Sequence, residues 1–530
     1  MPAIRTIPAV LAHAVESFPE REAMVDGGVR WTFAELGEQI RRSAAAMIAS
    51  GVQRGDRVAV WAPNGHRFIT AALGAVTAGA VLVPISTRYK GDEARWILGK
   101  SGARLLVVDN GFLGNDYLAM LREGEPAGSG RPVAGLPDLR EVVRLDGGGE
   151  LPWERFLDRA GRVPSTDVLA RAATVVEEDP SDMFFTSGTT GRPKGATTTH
   201  GQNLRVYEAW IARTGLRPGD RYLVVNPMFH VFGYKAGALA CLMQGATLVS
   251  QPVFDVTETL RLISSERLTV VPGAPTLYAS LLDHPDRAGL DLGSLRLAIT
   301  GASVVPAALV ERMRAELFPQ VIVAYGLTES CGTVTVGDPD AAPETVSHTV
   351  GKAIEGTEVI VAGRDGEPVP AGESGEVLVR GYNVMRGYFN DREATDNAID
   401  AKGWLHTGDV GVLDADGNLR ITDRLKDVFM VGGFNAYPAE IEQTLARYEK
   451  ISEAAVIGVP DERLGEVGRA YVIPRPGATV TEEEIIAFCR TRLANFKVPR
   501  SVRIVDTLPR NASGKVLKFE LRDESAQSIR

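Results

Sequence analysis

The chain has 530 residues, too many for one hydrophobic core, so at least two domains are expected. Hydrophobic residues at 44% and charged residues at 24% are ordinary for a globular protein, and a net charge of −9 argues against a nucleic-acid binder, which carries a basic excess. Cys241, Cys331 and Cys489 lie far apart and form no disulfide framework or zinc pattern, which fits a reducing cytoplasm.

Met1-Pro2-Ala3-Ile4-Arg5 lacks the apolar core of a signal peptide, and Gln527-Ser528-Ile529-Arg530 is not a peroxisomal address. Thr32, with Glu35 three places on, makes a capping box, and Leu36, Ile40, Ala44 and Met47 follow at helical spacing, which predicts a helix ending near Ser50. Val58-Ala59-Val60-Trp61 and Leu105-Leu106-Val107-Val108 read as buried parallel strands with helices between them. The uncharged stretch from Phe68 to Thr87 is long enough to cross a membrane. Its Ala, Gly and Thr content and Pro84 instead predict a buried helix over Ala71 to Ala78, a stop at Gly79 and a strand Val81-Leu82-Val83. Gly124 to Gly149, rich in Gly and Pro, reads as loop. No GxGxxG follows a strand, which removes the usual dinucleotide reading.

The apolar run Met183-Phe184-Phe185 leads into Thr186-Ser187-Gly188-Thr189-Thr190-Gly191-Arg192-Pro193-Lys194-Gly195. Three glycines let this backbone bend, four hydroxyls can wrap oxygen anions, and Arg192 and Lys194 add positive charge, so the loop suits a polyphosphate. It is not a Walker loop, because Pro193 occupies the place of the second glycine. A plain surface turn would not need this combination.

Further strands are expected at Arg221 to Val225, Leu268 to Val271 and Leu295 to Ile299, with a turn over Asn226 to His230 and a helix over Gly233 to Met243. Ligands gather at the carboxyl ends of such strands. There lie Pro272-Gly273-Ala274, Thr300-Gly301-Ala302-Ser303 and Tyr325-Gly326-Leu327-Thr328-Glu329. From about Gly351 strands shorten and turn signals multiply, which suggests a small β-rich subdomain. After a boundary at Asp423 to Lys426, a compact α+β piece is expected, with helices over Pro438 to Tyr448 and Thr481 to Leu493 and strands at Ala454 to Val459 and Val502 to Ile504. The fold class is α/β: a large N-terminal domain of layered α/β units with the β-rich subdomain, then a small α+β C-terminal domain.

The loop at 186–195, Tyr325-Gly326-Leu327-Thr328-Glu329, Trp404-Leu405-His406-Thr407-Gly408-Asp409, Arg424-Leu425-Lys426-Asp427 and Pro509-Arg510-Asn511-Ala512-Ser513-Gly514-Lys515 together resemble the adenylate-forming superfamily of acyl-CoA synthetases, beetle luciferases and peptide-synthetase adenylation domains. The resemblance covers nearly the whole chain. It implies an adenylation domain over 1–424, including the β-rich part from about 351, and a mobile domain over 425–530 that turns about Lys426. It also implies ATP, magnesium and the co-substrate CoA.

Roles follow from the same resemblance. Thr186, Ser187, Gly188, Thr189, Thr190 and Lys194 would hold phosphates. Gly301 and Ala302 would lie against adenine, with Tyr325 on its other face. Thr328 would reach the α-phosphate and Glu329 the magnesium ion. Asp409, helped by Arg424, would take the ribose hydroxyls. Gly432 and Gly433 would line a pantetheine tunnel, and Lys515 would enter the site for adenylation. His230 would stand at the mouth of the acyl pocket, with Gly326, Tyr234 and Lys235 as further pocket residues. Singly, each of these residues has an unremarkable alternative: a core histidine, a packed aromatic, a solvated lysine or glutamate.

The implied reaction is ATP-dependent joining of a carboxylate to CoA through an acyl-adenylate. No Gly-x-Ser-x-Gly elbow offers a nucleophilic route. Phe232 to Gly237, Leu239 to Leu242 and Leu281 to Pro285 resemble a narrower actinobacterial group that activates the propanoate side chain of the bicyclic indanedione left by steroid breakdown. Tyr234 and Lys235 could meet its ring ketone. Alternatives are a medium-chain fatty acid or aryl acid ligase, a stand-alone amino or aryl acid adenylation enzyme, a luciferase-like oxygenase and a non-catalytic AMP- or ATP-binding regulator. Val231 to Lys235 lacks the acid that would hold an amino group, and a regulator would not need Lys515. Expected partners are the small-molecule carboxylate, ATP and CoA, with no nucleic acid and no stable membrane span; a homodimer is left open.

Overall fold

The computed structural model describes residues 4–123, 133–148, 151–186, 192–301, 305–363, 365–425, 427–431, 434–461, 463–510 and 514–527. By packing, these divide into two compact units, Met1–Val359 with Val379–Leu405, and Ile360–Leu378 with His406–Arg530.

Among its described residues the first unit carries two large sheets. One runs, edge to edge, Gly387–Tyr388, Lys194–Thr199, Pro180–Thr186, Val81–Pro84, Arg57–Trp61, Ala103–Val108 and Glu141–Arg144. Its last five strands are parallel, and the first two join antiparallel. The other has nine strands, of which Glu22–Asp26, Thr247–Ser250, Arg221–Val224, Val270–Pro272, Leu297–Gly301 and Gln320–Tyr325 are neighbours in parallel. Parallel strands need crossovers, and helices cover their faces, so the strands read as unbroken apolar runs.

The Thr32 capping box forms as expected: Glu35 N–H donates to Thr32 Oγ1 and Thr32 N–H to the Glu35 carboxylate, and the helix runs Phe33–Ala49. The stretch around Phe68 folds as the helix His66–Thr77, Gly79 at φ 81° and the strand Val81–Pro84. No helix among the described residues is long and apolar enough to cross a membrane. Two expectations need correction. Gly124 to Gly149 is not all loop, since Glu141–Arg144 adds a parallel edge strand to the seven-stranded sheet. The helix expected over Gly233 to Met243 is wound more widely, as a π-helix over Phe232–Leu239 followed by an α-helical turn Ala240–Gln244.

Most of a four-stranded sheet, in the order Thr357–Ala362, Ser374–Gly381, Leu405–Leu413, Leu419–Arg424, falls in the second unit. A second sheet orders Phe434–Ala436, Phe429–Val431, Gly465–Pro474 and Ile451–Asp461, with Ser501–Ile504 parallel to Gly465–Pro474. Residues 360–378 and 406–424 of the β-rich stretch thus pack in this unit. One cause is Asp423, whose Oδ2 accepts from Ala439 N–H at 2.8 Å, in the first turn of the helix Pro438–Leu445. Burial pushes the Asp423 carboxyl up to about 6. Lys518 with Glu442 (2.8 Å) and Arg522 with Asp427 (2.8 Å) tie the last helix, Lys518–Gln527, to the residues that follow Asp423.

Candidate active site

Thr186 and Lys194 end the two strands of a hairpin and are register partners. Ser187, Gly188, Thr189 and Thr190 lie outside the described residues, as do Ala302, Lys426, Gly432 and Gly433. On the near flank of the bend, Trp96 Nε1–H donates to Pro193 O at 2.9 Å, and the Arg192 guanidinium lies 4.4 Å from the Trp96 ring centroid. A helix of the first sheet's crossover, Gly91–Ser101, therefore supports the loop's exit.

Glu329 gathers the hydroxyls of this region. It sits in the short turn Thr328–Ser330, just past the carboxyl end of the strand Gln320–Tyr325, where Leu327 N–H donates to Ser330 Oγ at 3.0 Å. Thr186 Oγ1 donates to Glu329 Oε1 at 3.1 Å, and Tyr388 Oη donates to the same oxygen at 2.8 Å. Burial first, then the Glu329 charge, raises the Tyr388 phenol well above its ordinary range, so it stays a donor. The Lys194 ammonium lies 5.4 Å from the Tyr388 ring centroid. Glu329 is a hard oxygen donor. No cluster of three or more His, Cys, Asp or Glu side chains that could hold a metal occurs among the described residues. A magnesium ion on Glu329 would take its other ligands from phosphates and water, which is how magnesium accompanies nucleotides. The residues present therefore fit that ion.

Gly301 ends the strand Leu297–Gly301 opposite Ala324, and a Cβ there would lie 2.7 Å from Ala324 O. Tyr325 is partly exposed on the neighbouring strand end, and Gly326 follows it, packed so that a Cβ would come within 2.3 Å of Gly332 O. These two glycines leave backbone uncovered beside an aromatic ring, the shape that a flat heterocycle requires.

His230 ends the turn after Arg221–Val224. Phe232 N–H donates to its Nδ1 at 3.3 Å, so the neutral ring carries its proton on Nε2 and offers a donor there. Surrounding protein mass pushes its pKa down toward about 4. The ring keeps solvent access, which moderates the shift without changing its direction, toward the neutral form.

Lys235 is not where a ketone could meet it. It is buried in the π-helix, its ammonium 2.9 Å from Asp182 Oδ1, 2.9 Å from Thr198 Oγ1 and 2.8 Å from Asn203 Oδ1. The charge is buried because Asp182 is buried too, held by Ser181, Thr198 and Asn203. Tyr234 is also buried, and its hydroxyl has no hydrogen-bond partner among the described residues.

Asp409, Arg424 and Lys515 belong to the second unit. Asp409 and Arg424 are cross-strand partners, with Arg424 Nε 2.5 Å from Asp409 Oδ1, so the carboxylate is held by the residue expected to assist it. Lys515 is exposed after Gly514, whose φ is 84°, and Arg510 donates to Gly514 O at 2.6 Å while pairing with Glu453. Sequence reasoning missed Tyr388 and the Asp182 network. Neither has a local signature, because each is defined by a partner distant in the chain.

Residues 11–389 match the family described as AMP-binding enzyme, and 440–515 match the AMP-binding enzyme C-terminal domain. The chain is 51% identical over 527 residues, 98% of both chains, to 3-[(3aS,4S,7aS)-7a-methyl-1,5-dioxo-octahydro-1H-inden-4-yl]propanoyl:CoA ligase of Rhodococcus jostii (strain RHA1). It is 50% identical, over 98% of this chain and 99% of the other, to the ligase of the same name from Mycobacterium tuberculosis. Among solved structures it resembles the O-succinylbenzoate coenzyme A synthetase MenE of Bacillus subtilis in complex with ATP and magnesium ion (TM-score 0.80, 28% identity, 97% and 98% of the two chains covered). The chain belongs to the AMP-binding enzyme family and is an AMP-forming acid–thiol ligase, using ATP, magnesium and CoA to convert a carboxylate to its acyl-CoA through an acyl-adenylate.

Proposed function

We propose that the carboxylate is the propanoate side chain of a steroid-derived bicyclic dione. One observation carries this reading: identity of 51% over 98% of both chains with the Rhodococcus ligase, whose name states that acid. In the first half-reaction a carboxylate oxygen bonds to the α-phosphorus, the bond to the β-phosphate bridge breaks and pyrophosphate leaves. In the second, the CoA sulfur bonds to the acyl carbon, the bond to AMP breaks and the thiol proton is released.

The site roles belong to this proposal. Thr186, Ser187 to Thr190 and Lys194 take the phosphates, Thr328 the α-phosphate and Glu329 the magnesium ion. Gly301, Ala302 and Tyr325 take adenine, and Asp409 with Arg424 the ribose. His230 and Gly326 border the acyl group, Lys515 supplies charge at the reacting phosphate, and Gly432 and Gly433 line the path of the pantetheine arm. Such chemistry is positioning and charge neutralisation, which loops of glycines, hydroxyls and cations supply. We assign residues 1–424 to the adenylation domain and 425–530 to a domain that turns about Lys426, because Lys515 must share a site with the distant phosphate loop. The cytoplasm is the compartment we propose, since all three cysteines are free and buried. A homodimer stays within the reading and is decided by solution mass.

The experiment is a panel of carboxylates assayed for both pyrophosphate and acyl-CoA. The bicyclic propanoate should give the highest kcat/KM. Far faster turnover of medium-chain fatty acids or of ferulate would overturn the substrate and leave the ligase class standing.

A further inference from the structure

Three contacts converge on Tyr388. Its hydroxyl occupies Glu329 Oε1 together with Thr186 Oγ1, so that oxygen's two lone pairs are taken by two donors and Oε2 is left as the carboxylate's open atom. Its ring faces the Lys194 ammonium. Neither Lys194 nor Glu329 makes an ion pair among the described residues, although both flank the same ring. The ammonium lies over the ring's face and the carboxylate at its hydroxyl end, so each meets the tyrosine, and neither charge is spent on a direct pair that would be lost to a substrate.

The backbone fixes Tyr388 in this place. Met385 N–H donates to Glu329 O at 2.8 Å, Arg386 N–H to Thr197 O at 2.9 Å and Phe389 N–H to Gly195 O at 2.8 Å. The segment is thus pinned to the turn bearing Glu329 and to the strand bearing Lys194. Tyr388 N–H itself donates to Thr395 Oγ1 at 2.9 Å.

We propose that Tyr388 is a positioning residue for adenylation: its hydroxyl locks the Glu329 carboxylate with one oxygen open to the nucleotide's divalent cation, and its ring keeps that carboxylate apart from the phosphate-binding Lys194. The proposal rests on the reading of Glu329 as the protein's oxygen donor to magnesium. It separates the two jobs of one side chain, so the two can be removed independently. Tyr388→Phe keeps the spacer and loses the lock. Tyr388→Leu loses both.

The test measures binding rather than turnover. Manganese, as a paramagnetic stand-in for magnesium, is titrated into each folded variant with saturating ATP, and ATP is titrated separately in EDTA. Thermal unfolding verifies that each variant is folded. Tyr388→Phe should weaken manganese binding about tenfold, the worth of a hydrogen bond to a charged group, and leave metal-free ATP binding unchanged. In a Glu329→Gln background the same substitution should have no further effect on manganese. Tyr388→Leu should also weaken metal-free ATP binding, and adding Glu329→Gln should recover it, because the competing charge is gone. Thr186→Val removes the other donor to Oε1 and should weaken manganese in the same direction, which gives a second route if Tyr388→Phe does not fold. Manganese affinity within twofold of the parent in Tyr388→Phe, or an equal loss in the Glu329→Gln background, overturns the proposal while leaving Glu329 as a ligand. No effect of Glu329→Gln alone overturns the reading of Glu329, and this proposal with it.

Discussion

The Lys235 ammonium lies 2.9 Å from Asp182 Oδ1, and both side chains are 1% exposed. The pair joins the π-helix to the strand that leads into the phosphate loop, with Thr198 and Asn203 completing its hydrogen bonds. Removing one partner of a buried pair strands the other charge. Lys235→Met should therefore cost about 3–5 kcal/mol, read as a lower denaturation midpoint of the first unit. Lys235→Met with Asp182→Asn should recover part of that loss. A single variant as stable as the parent would mean that the charge is not isolated from water.

A second prediction concerns acid. His200 begins the helix His200–Thr214, its Nδ1 accepts from Ile7 N–H at 3.2 Å, and burial pushes its pKa down to about 4. The folded pKa lies below the ordinary value of 6.5, so between those values the unfolded chain takes up the proton first. The stabilisation is complete above 6.5 and is lost as pH falls toward 4; the linkage is of order 3 kcal/mol. His200→Asn should be less stable at pH 7.5 and show a flatter fall in melting temperature from pH 6.5 to 4.5. An unchanged slope would assign the acid sensitivity to other groups.

Lys515 gives a kinetic prediction. Lys515→Ala should lower adenylation, measured as pyrophosphate release, by about 10²–10³. Acyl-CoA formation from supplied acyl-adenylate should persist. Equal loss in both steps would place the lysine in general binding.

Gly301 tests close backbone approach. A Cβ there would meet Ala324 O at 2.7 Å, and both residues lie in paired strands. Gly301→Ala should force those strands apart at their carboxyl ends, costing about 1–3 kcal/mol and raising the Kd for ATP without a matching change for the carboxylate. Nucleotide titration by calorimetry reads the difference.

Much of this was legible in the residues. The capping box at Thr32, the stop at Gly79 and the strands Arg57–Trp61 and Ala103–Val108 follow from local chemistry, and the structure forms them. The motifs around Thr186, Glu329 and Asp409 were legible because glycines, hydroxyls and charges at fixed spacing have few other uses. Lys235 was misread because a lysine beside a tyrosine looks available until Asp182, far away in sequence, is placed against it. Tyr388 was invisible for the same reason: its two-residue strand has no periodicity, and its meaning comes from Glu329. The π-helix was missed because its wider winding leaves no mark on composition.

That wider winding has a consequence for how such an enzyme can change its acid. A helix with i→i+5 bonds holds a surplus residue relative to an α-helix. Deleting one residue within Phe232–Leu239 would let the segment relax to ordinary winding at about 100° per residue, and because the tighter winding makes up for the lost residue, the flanking turns would keep their phase while the side chains inside the segment are re-aimed. One short deletion would thus re-aim a whole row of side chains at once, a jump in shape that stepwise substitution reaches only through poorly packed intermediates.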